Sequence, residues 1–200
     1  MNFAIIGASG NVGRKIIEIL EKSKISFKDL YLVASKKSAG KKIKFREKEI
    51  EIENLENYDF SKAQITIFAA GSQIAKEWAP KAAKKTIVID NSSFFRMKEN
   101  IPLVVPEVNP EALDKHENII ANPNCSTMQM VLVLKPLHDE YKIKRVIVST
   151  YQAVSGAGKE AMDELFDQTK NFLDKKNIET KHFTKQIAFN LIPHIDAFDK

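Results

Sequence analysis

Cysteine, tryptophan and arginine are scarce in this chain: one Cys, one Trp and four Arg among 200 residues. A lone thiol excludes an internal disulfide framework and any multi-cysteine metal site. Seven glycines and seven prolines are too few for a collagen-like or low-complexity chain. No apolar run approaches the roughly 20 residues that span a bilayer. The opening MNFAIIGASG has neither the basic region nor the long apolar stretch of a signal peptide. A cytoplasmic protein with no membrane partner is expected. The four histidines, His116, His138, His182 and His194, show no H-x-x-x-H spacing, so no metal is expected either.

Charge is present in both signs, 31 basic against 26 acidic residues, for a net +5. The lysines are scattered. Nucleic-acid binders concentrate basic residues and interleave aromatic stacking partners, so nucleic acid is not expected as a partner. The densest cluster, Lys36, Lys37, Lys41, Lys42 and Lys44, suits a small anion or is simply a solvated face. Hydrophobic residues at 44% and charged residues at 28% describe a globular chain with enough apolar surface for a core. Its length allows one large domain or one and a half ordinary ones.

Short apolar runs alternate with helical patterns up to about residue 138, which predicts an α/β fold with a parallel sheet. Strands are expected at 2–7, 30–34, 65–70, 86–90, 103–105 and 118–121, with a small hairpin over 43–53. Helices are expected at 12–20, 72–85 and 125–138. Beyond them, a longer strand over 145–152, a charged amphipathic helix over 158–176 and a strand over 185–192 begin a second, α+β region. The expected division is a Rossmann-type dinucleotide-binding domain at 1–124 and an incomplete substrate and dimerisation domain at 125–200.

Gly7-Ala8-Ser9-Gly10-Asn11-Val12-Gly13 lies between the first strand and the first helix. Glycines there let the backbone turn tightly and approach a pyrophosphate, whose charge is met by the helix N-terminus. An NAD site usually has an acid on the second strand, about 20 residues past this loop, to hold the ribose 2′-hydroxyl. Here the strand runs into Ala34-Ser35-Lys36-Lys37-Ser38-Ala39-Gly40-Lys41, with no acid. Hydroxyls and lysines suit a 2′-phosphate, so NADP is expected over NAD; the alternative is a solvated lysine turn.

The only cysteine sits in Ala121-Asn122-Pro123-Asn124-Cys125-Ser126-Thr127, between a strand and a helix start. It is either a small buried hydrophobe or a nucleophile whose thiolate the helix dipole and nearby N–H groups favour. Asn124 and those N–H groups are also placed to stabilise an oxyanion. Asp90-Asn91-Ser92-Ser93-Phe94-Phe95-Arg96 follows a strand and carries a rare arginine, suited to a carboxylate or phosphate. Tyr151 to Gly158, YQAVSGAG, ends a strand in small residues, as backbone close to a flat ligand would. A Tyr58-x-x-x-Lys62 pair lies in the wrong element for reductase chemistry and reads as coincidence.

Together these segments resemble aspartate-semialdehyde dehydrogenase. The match runs through GASGNVG at 7–13, ASKKSAGK at 34–41, AAGS at 69–72, IDNSSFFRM at 89–97 and PLVVPEVNP at 102–110. It continues through ANPNCST at 121–127, YQAVSGAG at 151–158 and FNLIPHID at 189–196. The resemblance implies NADPH-dependent reductive dephosphorylation of L-aspartyl-4-phosphate, in the pathway to lysine, threonine and methionine, by a homodimer. It implies Cys125 as the thioester-forming nucleophile, Gln152 as the residue orienting the acyl intermediate, and Arg96 as the phosphate ligand. Gly7, Ser9, Gly10, Asn11, Val12, Gly13, Ser35, Lys37, Ser38, Ser72, Ser155 and Gly156 would form the cofactor site.

Two departures stand out. Lys37 replaces the arginine common in the family, which keeps a point charge for a phosphate but loses the bidentate fork. The family's base histidine lies past the F-x-x-I-P-x-I-D segment that ends this chain, and His194 reads as a packed or hydrogen-bonded residue rather than its substitute. The chain by itself is therefore expected to be inactive, and a non-catalytic NADP-binding or subunit-interaction module is the alternative. Within enzymes the alternative is N-acetyl-glutamyl-phosphate reductase, against which Asn124 argues, since that family places glycine before the cysteine. Glyceraldehyde-3-phosphate dehydrogenase is disfavoured because its Ser-x-x-Cys-Thr-Thr run is absent.

Overall fold

The computed structural model describes residues 1–194; Ile195 and Asp196, the end of the FNLIPHID segment, lie outside the described residues. The chain divides into two compact units, Met1–Val146 and Ile147 onward.

The first unit is built on strands β1 (Phe3–Ile6), β2 (Leu30–Ala34), β3 (Lys42–Phe45), β4 (Lys48–Asn54), β5 (Ile65–Phe68), β6 (Ile87–Asp90) and β7 (Ile119–Ala121). Among the described residues these form one seven-stranded sheet in the order β3-β4-β2-β1-β5-β6-β7. All neighbours are parallel except the antiparallel β3–β4 hairpin at the edge. Helices α1 (Asn11–Lys22), α2 (Ser72–Ala82) and α3 (Cys125–Tyr141) each follow a strand.

Side-chain alternation sorts the core onto two faces. From β1, Phe3 and Ile5 pack with Ile17 and Leu20 of α1. Its other face, Ala4 and Ile6, packs with Ala75, Ala79 and Ala82 of α2 and with Phe68 and Val88. The three alanines recur at helical spacing and their small size brings α2 close to the strands. Two buried hydroxyls, Thr66 and Thr86, satisfy each other at 3.1 Å within this otherwise apolar layer.

Short buried strands and amphipathic helices thus fall where periodicity places them, and the α/β, Rossmann-type architecture holds. Three expected strands do not form. At 103–105 only a single bridge, Leu103 to Ala121, is made. Pro102 and Pro106 flank the segment and remove donors that a longer ladder needs. The 145–152 segment has no ladder partner among the described residues, and Ile147 is 82% exposed despite its β-branched pattern.

The third is 185–192, in the second unit. There α4 (Lys159–Leu173) presents Glu164 and Gln168, one turn apart and both buried. Ile187 N–H and Ala188 N–H donate to Gln168 Oε1 at 2.8 and 3.1 Å. Lys181 N–H and His182 N–H donate to Glu164. Gln168 Nε2 in turn donates to Glu164 Oε1 at 2.8 Å and to the Glu179 carbonyl at 3.1 Å. Side chains of the helix therefore take the amides that a strand would have used.

Candidate active site

The strand order places β1 between β2 and β5, so chain connections leave β1 in opposite directions. That switch point, at the carboxyl ends of the strands, is where open α/β sheets bind ligands. The loop after β1 occupies it. Gly7 has φ +86°, and a Cβ there would stand 2.6 Å from the Ala69 carbonyl oxygen of the neighbouring loop. At Gly13 a Cβ would stand 2.2 Å from the Gly7 carbonyl oxygen, so α1 packs directly on the turn. Gly7 and Ala8 N–H donate to the Val33 carbonyl at 2.8 and 3.1 Å, and Gly10 N–H donates back to Gly7 at 3.0 Å.

Gly10 is the N-cap of α1 and has no side chain to satisfy the first amides. A helix start left open in this way, behind backbone that no side chain obstructs, fits a pyrophosphate. Ser9 and Asn11 lie in the same turn, and Val12 is half exposed beside them.

At the end of β2, one strand over, Ser35, Lys36 and Lys37 are exposed. Ser38 N–H and Ala39 N–H donate to the Ser35 carbonyl at 2.8 and 3.1 Å. The turn therefore presents its lysines and hydroxyls beside the glycine loop. On the other flank, Gly71 (φ +82°) opens α2, and Ser72 Oγ lies 2.9 Å from Ser93 Oγ. The residues expected to hold a dinucleotide within the first unit share one sheet edge.

Cys125 is the first residue of α3 and is exposed, so the buried-hydrophobe alternative fails. Asn124 caps the helix: its Oδ1 accepts from Ser126 N–H at 3.0 Å and from Ser126 Oγ at 2.6 Å. The Cys125 thiol lies 4.0 Å from the same oxygen. With that oxygen committed to the helix, an oxyanion contact from this side chain falls to its Nδ2.

Arg96 comes from the loop after β6. Its Nε donates to the Asn122 carbonyl at 3.0 Å and its Nη2 to the Asn91 carbonyl at 3.2 Å. Asn122 Nδ2 donates to Asn91 Oδ1 at 2.5 Å. Beneath this loop Asp90 is fully buried, with Oδ2 accepting from Ser92 Oγ at 2.6 Å and Oδ1 without a partner. Burial pushes the Asp90 carboxyl above the usual aspartate range, against the pull of the Ser92 hydrogen bonds and the Arg96 charge. Local pattern gives Asn91 and Asn122 no role; only the hydrogen bond between them, 31 residues apart in sequence, marks them.

In the second unit, Gln152, Ser155 and Gly156 are exposed. A Cβ on Gly156 would stand 2.6 Å from Gln152 Nε2, so the glycine is the seat of the Gln152 side chain. A cavity of about 640 Å³ lies elsewhere, along α4, and carries charged residues of both signs, among them Glu160, Asp163, Lys176 and Lys181. Tyr58 and Lys62 are set apart from the sheet edge: Lys62 pairs with Glu53 at 2.9 Å and lies over the Tyr31 and Tyr58 rings. No group of His, Cys, Asp and Glu among the described residues is arranged to hold a metal ion. No helix among them is long and apolar enough to cross a membrane.

Comparison with known proteins identifies the family of this fold. The semialdehyde dehydrogenase NAD-binding domain matches residues 2–116, and the semialdehyde dehydrogenase dimerisation domain matches residues 134–200. Aspartate-semialdehyde dehydrogenase 2 of Vibrio cholerae is 49% identical over 98% of this chain and 59% of its own length. The crystal structure of aspartate semialdehyde dehydrogenase II from Vibrio cholerae, complexed with ASA, superposes with a TM-score of 0.95 at 48% identity. It is covered to 60% by 98% of this chain. The aspartate semialdehyde dehydrogenase of Candida albicans, solved with NADP, gives a TM-score of 0.59 at 27% identity over 70% of this chain and 47% of that one. The chain thus spans about three fifths of the length of the curated relative. With the family's coenzyme domain matched over more than half of its residues, and its dimerisation domain over most of the rest, the chain belongs to the semialdehyde dehydrogenase family.

Proposed function

We propose that this chain carries the coenzyme site and the nucleophile of a cytoplasmic, homodimeric, NADPH-dependent aspartate-semialdehyde dehydrogenase, which converts L-aspartyl-4-phosphate to L-aspartate-4-semialdehyde. The observation that carries the reading is an exposed thiol at the Asn124-capped N-terminus of a helix, on the same sheet edge as a glycine cradle. The functional division at 124/125 falls in the interval between the two matched domains.

Gly7 and Gly10 shape the turn, with N–H groups bonded to the Val33 and Gly7 carbonyls, and Ser9, Asn11, Val12 and Gly13 meet the pyrophosphate at the start of α1. Ser35, Lys37 and Ser38 receive the 2′-phosphate, and the absence of an acid at this turn supports NADP over NAD. Ser72 is assigned to the cofactor on the first unit, and the resemblance to the family assigns Ser155 and Gly156 to it as well. When bound, NADPH supplies the hydride.

Cys125 thiolate attacks the acyl carbon of the substrate. The C–S bond forms, the C–O bond to phosphorus breaks, and phosphate leaves toward Arg96. Gln152 orients the resulting thioester while Asn124 and the first amides of α3 face the oxygen that gains charge. After reduction the thiohemiacetal collapses, breaking the C–S bond and returning the thiolate with release of the aldehyde.

The test runs in reverse on the product of the complete reading frame: aspartate semialdehyde, NADP and phosphate should give NADPH. Activity confined to the N-acetylated glutamate analogue would overturn the substrate assignment. Cys125→Ala should bring turnover to background with NADP affinity within about twofold, since the thiol contributes to chemistry rather than to cofactor binding. Retained turnover would remove Cys125 from the mechanism.

A further inference from the structure

We propose that Asn122 is the positioning residue that aims the Arg96 guanidinium, and so sets where the leaving phosphate sits relative to Cys125. The inference rests on Arg96 as phosphate ligand, and it deepens that reading.

Asn122 engages its surroundings through all three of its polar groups. Its N–H donates to the Asp90 carbonyl at 2.8 Å. Its carbonyl accepts from Arg96 Nε at 3.0 Å, and its Nδ2 donates to Asn91 Oδ1 at 2.5 Å. Asn91 is anchored in turn: its N–H and its Nδ2 both donate to the Phe68 carbonyl, at 3.0 and 3.3 Å. Because that carbonyl only accepts, the Asn91 amide nitrogen must face it. Its Oδ1 is then turned to Asn122, which must be the donor. The orientation of both amides follows from the backbone.

The result is a closed ring. Arg96 grips two carbonyls, those of Asn91 and Asn122, and the side chains of the same two residues hold those carbonyls in register. Two of the five guanidinium N–H groups are used in fixing its plane. Pro123, buried and rigid, links Asn122 to the Asn124 cap, so Asn122 stands three residues from Cys125 on a stiff connection. Arg96 and Cys125 are thereby referenced to one residue. A charge placed this way is already oriented before substrate arrives, and a displacement of about 1 Å in a positioning group can cost on the order of 10²-fold in rate.

The experiment uses Asn122→Ala and Asn122→Ser in the product of the complete reading frame. The serine variant keeps the backbone contacts with a small polar side chain, in case the alanine variant is poorly folded. Both should raise KM for phosphate roughly tenfold or more, with KM for NADP and the rate of Cys125 alkylation by iodoacetamide unchanged. In an Arg96→Lys background, where the fork is already lost, Asn122→Ser should add little, because coupled residues are non-additive. An unchanged phosphate KM, or equal losses in phosphate, coenzyme and alkylation measurements, would overturn the positioning role while leaving the activity in place. A wild-type protein with no phosphate-dependent turnover overturns the activity and this inference with it.

Discussion

A methyl group at position 13 has nowhere to go. The Cβ of Gly13→Ala would meet the Gly7 carbonyl oxygen at 2.2 Å and the Ala8 Cα at 2.9 Å, and both are backbone rather than a side chain that can swing away. Overpacking of this kind costs about 1–3 kcal/mol, and relief requires α1 to move off the glycine turn proposed to meet the pyrophosphate. Gly13→Ala should lower Tm and weaken NADPH binding together, measurable by thermal melting and fluorescence titration; an unchanged affinity would mean the turn tolerates the shift. Asp90 gives a second residue-scale expectation. Folding raises its carboxyl above the ordinary value of 3.8 through burial. An acid shifted upward contributes its stability below the unfolded value and loses it as pH climbs through the folded one. Asp90→Asn removes that dependence, so the Tm of the variant relative to wild type should increase as pH rises above about 4. A constant difference over that rise would contradict a buried proton at Asp90.

Among the elements, α4 is the most instructive. Its sequence, KEAMDELFDQTKNFL, reads as a charged amphipathic helix, and side chains of the Glu and Gln type are mostly exposed. Instead they are 7% and 1% exposed and hold the amides of four residues. Local pattern cannot show this, because what buries them is a segment up to 20 residues further along. The same limit explains 145–152, where β-branched alternation promises a strand but pairing depends on a neighbour that pattern does not supply. By contrast, the glycine loop, β2 and the start of α3 were legible because glycine conformation, apolar runs and helix capping are local chemistry. Arg96 and Cys125 were legible as types; the Asn91–Asn122 contact that relates them was not. Gln168→Leu should leave the Ile187 and Ala188 amides without a partner, at about 1–3 kcal/mol for each buried group. Hydrogen exchange of those two amides should accelerate while β1 and β5 stay protected; equal protection in both proteins would show another acceptor.

At the scale of the whole chain, α3 is the feature without cover. Thirteen of its residues from Cys125 to Leu137 run CSTMQMVLVLKPL, yet no residue of the helix is buried. Val133 is 66% exposed, and Leu132 and Leu137 are exposed beside it. Contiguous apolar surface of this kind is uncommon on a monomer, and the dimerisation domain matched over 134–200 begins within this helix. The 200 residues expressed alone should bind a hydrophobic dye and self-associate, as measured by dye fluorescence and light scattering. A monomer with no dye binding would mean these side chains find cover within the chain itself.

The strand order has one more consequence. From β1, where the glycine loop turns, to β7, which leads into Cys125, the sheet steps through β5 and β6. At about 4.8 Å per step this amounts to roughly 14 Å between the two strand ends. The sheet is in effect a ruler laid between phosphate and sulfur. A mononucleotide anchored at the loop stops short of the thiol, whereas a dinucleotide stretched across the strand ends has the reach, so the spacing of backbone strands itself selects for a cofactor with two halves.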